Sequence, residues 1–114
     1  MPEEDLMAAL RWAFSDDHFV MSVHGQIEML TDGLTTDDVA RAGRGCDLLE
    51  DYPERDEGHT VLLVGFYGPD EPVHLVVNLG AYERDWSEPL TVVTVYVPES
   101  PEWLDERTRG HDKR

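Results

Sequence analysis

Six side chains carry groups from which a metal-independent phosphoryl transfer can be assembled: His24, His74, Tyr96, Arg107, Arg109 and Asn78. Two imidazoles that titrate near neutrality can share the acid and base roles in transesterification of RNA, a reaction that needs no metal. Tyr96 would add an acidic hydroxyl, Arg107 and Arg109 contacts to phosphate, and Asn78 a polar group on the same strand face as His74. Each also has an ordinary structural reading. His24 can cap a helix or bond a backbone carbonyl, His74 can be a hydrogen-bonded histidine in a covered sheet, and Tyr in a strand or Arg in a tail is a common structural choice. For either His alone the structural reading is preferred.

Other chemistries find little support. There is one cysteine, Cys46, no HExxH and no EF-hand spacing among the acidic runs, so neither a metal nor another cofactor is expected. Gly43-Arg44-Gly45 follows a helical pattern instead of opening one, which argues against a phosphate loop, and no mid-chain Ser has the flanking glycines of a nucleophile elbow. Cys46 reads as a small buried apolar residue, and Trp86 and Trp103 as covers for apolar surface.

Charge narrows the choice of partner. The chain has 25 Asp and Glu against 9 Lys and Arg, a formal net charge of −16, and a field of that sign repels phosphate backbones. Four of its bases, Arg107, Arg109, Lys113 and Arg114, crowd the carboxy-terminal end and are where an anion would be held. A small basic protein would suit the rest of the surface. No apolar run approaches the ~20 residues of a membrane span, and MPEEDL is acidic where a secretory signal is basic and then apolar. A soluble, cytoplasmic protein without a membrane partner is expected.

The element that must position His74 and Asn78 is the strand Pro72 to Leu79, where Val73, Leu75, Val77 and Leu79 share one side and His74, Val76 and Asn78 the other. Thr60 to Tyr67 and Leu90 to Val97 read as neighbouring strands, Gly68 to Glu71 as a hairpin connection, Asp47 to Tyr52 as a weaker strand, and Ala81 to Pro89 as a polar loop. Before them, Pro2 to Phe14 reads as a helix with Leu6, Leu10, Ala13 and Phe14 on one stripe. Phe19 to Val23 is a short apolar piece that passes through His24 and Gly25 into a helix ended by Gly33. Thr35 then starts another helix, with Asp38 completing a capping box and Leu34 and Val39 forming a hydrophobic staple. Ser100 and Pro101 open a short last helix with Trp103 and Leu104. Residues 1–109 are thus expected to form a single α+β domain and 110–114 a frayed tail. Val61 to Val64 and Val92-Val93 are apolar on both sides of the pleat, so both sheet faces should be covered. Helices take one face; the carboxy-terminal segment or a second subunit takes the other, and a homodimer is expected.

Several of these stretches resemble a bacterial family known as domain of unknown function 4258: His24 to Met29 with Gly33 to Val39, Leu49 to Pro53, Leu63-Val64-Gly65, Pro72 to Val76, Val93 to Pro98, and Pro101-Glu102-Trp103 with Arg107 and Arg109. The likeness runs from about His18 to Arg109. It implies amino-terminal helices packed on a three- to four-stranded antiparallel sheet with a short carboxy-terminal helix, the layout of RelE-like and BrnT-like toxins, some of which cleave RNA. Where that family has helical arginines this chain has Glu28 and Asp32, and a ribonuclease needs cations to hold phosphate and neutralise its transition state. The favoured expectation is a non-catalytic binding or regulatory module; the alternative is a metal-independent ribonuclease using His24 and His74, with RNA as its substrate.

Overall fold

A computed structural model describes residues 3–99 and 105–107. The first helix, α1 (Glu3–Ser15), buries Leu6, Met7, Leu10, Ala13 and Phe14, the stripe the helical period requires. A three-residue strand, β1 (Phe19–Met21), leads into α2 (Val23–Thr31), whose N-cap Ser22 accepts from the Gly25 amide at 2.9 Å. Gly33, at φ +73°, provides the left-handed turn that ends α2. The next helix, α3 (Thr36–Arg44), opens on the expected capping box: the Asp38 amide donates to Thr35 Oγ1 at 3.1 Å and the Thr35 amide to Asp38 Oδ2 at 2.9 Å.

Four strands follow, β2 (Asp47–Tyr52), β3 (Thr60–Gly68), β4 (Glu71–Asn78) and β5 (Leu90–Tyr96), with a one-turn helix, α4 (Gly80–Arg84), ahead of the last. The sheet order is β1-β5-β4-β3-β2, with β1 parallel to β5 and every other pair antiparallel. The sheet therefore has five strands and is mixed, which corrects the expected three- to four-stranded antiparallel arrangement. A three-residue strand carries too little periodicity to be recognised, and a parallel pair joins segments distant in sequence, here Phe19 with Leu90. The expected polar loop from Ala81 to Pro89 likewise begins as α4.

Val73, Leu75 and Val77 of β4 join Val61, Leu63, Val92 and Val95 under the helices, with Leu10, Phe14, Leu34, Val39 and Ala42 above them. Their burial is the main source of stability, at about 1.5–3 kcal/mol for each large aliphatic side chain. Contact between α3 and β3 is close enough that a Cβ on Gly65 would stand 2.1 Å from the Ala42 carbonyl oxygen. Cys46 is wholly buried, and burial pushes its thiol pKa up to about 12.

On the other face Leu62, Val64 and His74 are buried as well. The backbone at residue 106 lies against the His74 ring, so the carboxy-terminal segment, one of the two expected covers, lies on this face there. Trp86, expected to cover apolar surface, is 74% exposed in the turn after α4. Pro2, Ser100 to Leu104 with the proposed last helix, Arg109 and the tail lie outside the described residues.

Candidate functional site

His74 pairs with Tyr96 across β4 and β5, and both side chains stand on the face away from the helices. The Nε2 of His74 lies 2.7 Å from the Glu106 carbonyl oxygen, which can only accept, so that nitrogen carries a proton. Nδ1 lies 3.0 Å from the Tyr96 hydroxyl, which donates to it in the neutral ring. The two rings meet edge-on, with centroids 5.1 Å apart, and the histidine is fully buried. Of these two partners the Tyr96 hydroxyl can relay a proton and the carbonyl cannot.

Tyr96 lines a cleft of about 150 Å³ together with Glu50, Tyr52, Arg55, Thr60 and Val76. Within it Tyr52 donates to Glu50 Oε1 at 2.5 Å, and the Arg55 guanidinium lies 4.2 Å over the Tyr52 ring.

The remaining sequence-predicted residues are placed elsewhere. His24 is exposed on α2, while the ring nitrogens of His74 engage Tyr96 and Glu106. Arg107 reaches Asp47 Oδ2 at 3.0 Å, and Arg11 takes the other oxygen at 3.1 Å. One carboxylate thereby ties α1, β2 and the carboxy-terminal segment together. These ion pairs are nearly half exposed and each contributes under about 1 kcal/mol. Asn78 closes a loop: its amide donates to Glu57 O at 2.8 Å, and its oxygen accepts from the Gly80 amide at 2.9 Å.

A third histidine was not singled out by the sequence. His59, 14% exposed, has Nδ1 2.7 Å from Glu83 Oε2 and Nε2 2.6 Å from Asp51 Oδ1. Carboxylates accept and do not donate, so the ring satisfies both only with a proton on each nitrogen, as the imidazolium. Burial pulls its pKa down, and the hydrogen bonds and charges of Glu83 and Asp51 outweigh that, leaving it above the ordinary 6.5. Asp51 comes from β2, His59 from the residue before β3 and Glu83 from α4, and no local spacing relates them. Among the described residues no cluster of His, Cys, Asp and Glu has the arrangement to hold a metal ion.

The helix α2 serves the sheet edge. β1 pairs with β5 only as far as Val92, and from there Ser22 donates through its amide to Val92 O at 2.9 Å and through its hydroxyl to Val93 O at 2.8 Å. Asp32 Oδ2 accepts from the Val97 amide at 3.2 Å. The carboxylate that stands where an arginine was expected therefore satisfies the backbone beyond β5. With Gly25 and Met29 turned inward, α2 presents Val23 (74% exposed), Ile27 (56%) and Leu30 (70%) to solvent. Their i, i+4, i+7 spacing makes one outward apolar stripe. Among the described residues no helix is long and apolar enough to cross a membrane.

In comparison with known proteins, a family model described as Domain of unknown function (DUF4258) fits residues 21–97, from the last residue of β1 to just past β5. That span includes His24, His59, His74, Asn78 and Tyr96, and leaves out α1 and Arg107. No curated protein and no solved structure matches the chain.

Proposed function

The chain belongs to the DUF4258 family, whose description names no activity, and from that premise we propose that it is a non-catalytic protein-binding module. The observation that carries this reading is the outward stripe of α2, three large aliphatic side chains left in water on a helix that packs inward through Gly25 and Met29. A contiguous apolar patch on a protein surface is often functional, whereas apolar residues scattered singly need no explanation.

The geometry around His74 supports the same reading. A ribonuclease of RelE-like type would need an accessible acid and base and unneutralised cations beside them. Here His74 is buried between Tyr96 and the 105–107 segment, His24 stands apart on α2, and Arg11 and Arg107 share Asp47. A net charge of −16 opposes RNA at any distance within the screening length.

The test is incubation of the purified chain with total RNA in a chelator, beside His24→Ala and Tyr96→Phe variants. No cleavage above the buffer control is expected from any of the three. Metal-independent cleavage by the parent chain that disappears in the Tyr96→Phe variant overturns the reading in favour of a nuclease.

A further inference from the structure

We propose that the α2 stripe is the docking site of a basic amphipathic helix contributed by another protein. The inference rests on the binding-module reading and gives it a location and a partner chemistry.

Two observations select this occupant. The first is charge. Between Arg11 and Arg41 the chain contains no Lys or Arg, and it carries Asp16, Asp17, Glu28, Asp32, Asp37 and Asp38. Asp16 and Asp17 precede β1, Glu28 and Asp32 belong to α2 and its cap, and Asp37 and Asp38 lie in the first turn of α3. The helix that carries the stripe thus has Glu28 and the cap Asp32 and no Lys or Arg of its own, within a stretch of chain whose only bases are His18 and His24, and of whose carboxylates Asp38 is paired with Arg41. A partner helix with Lys or Arg flanking its apolar face pairs with both features; an acidic or neutral one pairs with the apolar feature alone.

The second observation is size. At the exposures given above, Val23, Ile27 and Leu30 present roughly 350 Å² of apolar surface, well under the ~800 Å² that each side of a standard globular interface contributes. A single amphipathic helix, which anchors through side chains at i, i+4 and i+7, is the partner suited to so narrow a strip. A second copy of this chain is a poor occupant on both grounds, because it would set two −16 surfaces face to face over a contact too small to offset the repulsion.

The probes are three synthetic helical peptides of equal length. One has Leu at i, i+4 and i+7 flanked by Lys and Arg; one is a scrambled isomer of the same composition whose leucines no longer share a face; one is a twin with Glu in place of every base. Binding is read by fluorescence anisotropy, with the oligomeric state of the chain read by light scattering. The basic amphipathic peptide is expected to bind at least tenfold more tightly than either control, to weaken at higher salt, and to lose at least tenfold in affinity for an Ile27→Ser, Leu30→Ser variant. Both substituted side chains are exposed, so the variant keeps its fold, which its circular dichroism and melting temperature confirm. Equal binding of the scrambled isomer, indifference to the double substitution, or no binding of the basic amphipathic peptide overturns the proposal. A parent dimer that the double substitution dissolves also overturns it, naming a second copy as the occupant. These outcomes leave the RNA assay untouched, and RNA cleavage would sink the binding-module reading whatever the peptides do.

Discussion

Replacing His59 with glutamine removes the one cation held between Asp51 and Glu83 while keeping a side chain that can donate to either. A hydrogen bond to a charged group contributes about 1.5–3 kcal/mol when sheltered, but the two carboxylates are 40% and 41% exposed and regain water when the ring is lost. The net cost should therefore fall near 1–2 kcal/mol for the pair of bonds. For a domain of this length each kcal/mol moves the melting temperature by roughly 3–6 °C, which predicts a drop of roughly 3–12 °C at pH 6. The dependence on pH has a definite sign. The folded ring holds its proton more tightly than the unfolded one, so its contribution is complete below the unfolded value of 6.5 and is lost as pH rises through the higher folded value. Thermal melts of the parent and the His59→Gln variant between pH 6 and pH 9 provide the assay, and subtracting the two profiles cancels the other histidines. The gap should be largest at pH 6 and shrink towards pH 9. Parallel profiles, or a gap that widens with pH, would refute the assignment of an imidazolium bridge.

The remaining expectations concern the packing. Gly65→Ala places a Cβ 2.1 Å from the Ala42 carbonyl oxygen and should cost about 2–3 kcal/mol in urea unfolding, whereas Gly45→Ala, with nothing within 4 Å of its Cβ, should leave the midpoint nearly unchanged. Thr35→Ala removes the capping box and should lower stability by about 1 kcal/mol, read from the same urea midpoint; no shift would mean that Asp38 holds the helix start unaided. Cys46, buried and with a thiol pKa near 12, should resist a thiol reagent at pH 8 in the folded chain and react promptly in denaturant.

Much of this molecule was legible where the signal is local. The alternation in Val73, Leu75 and Val77 gave the buried side of β4, Thr35 with Asp38 gave the start of α3, and the Gly68 to Glu71 connection gave the hairpin, because each is written within a few residues. The candidate site was harder because its contacts are not local. His74 was placed correctly in its strand, but its partner at residue 106 is 32 positions away, and the carboxylates of the His59 bridge are 8 and 24 away. Asn78 looked like a ligand group because its strand face is polar, and only the folded loop reveals that both ends of its amide are employed. The helical character of Ile27 and Leu30 was readable, yet which side of α2 faces water depends on its docking through Gly25 and Met29. Trp86 was assigned to apolar cover on residue type alone, and its place in an exposed turn overrode that preference.

The parallel pairing of β1 with β5 also sets an order of assembly. β2 to β5 are joined by pairings between near neighbours in sequence, while β1 waits for a strand about seventy residues downstream and must close that long loop before it gains anything. β1, and α2 leaning on it, should thus be the last part to dock and the first to come away. In native-state hydrogen exchange the amides of β1 and α2 should open at a lower free energy than those of β3 and β4. A partner that grips α2 would then act on the least cooperative part of the molecule, and its binding would be felt as a tightening of that corner while the central strands stay as they were.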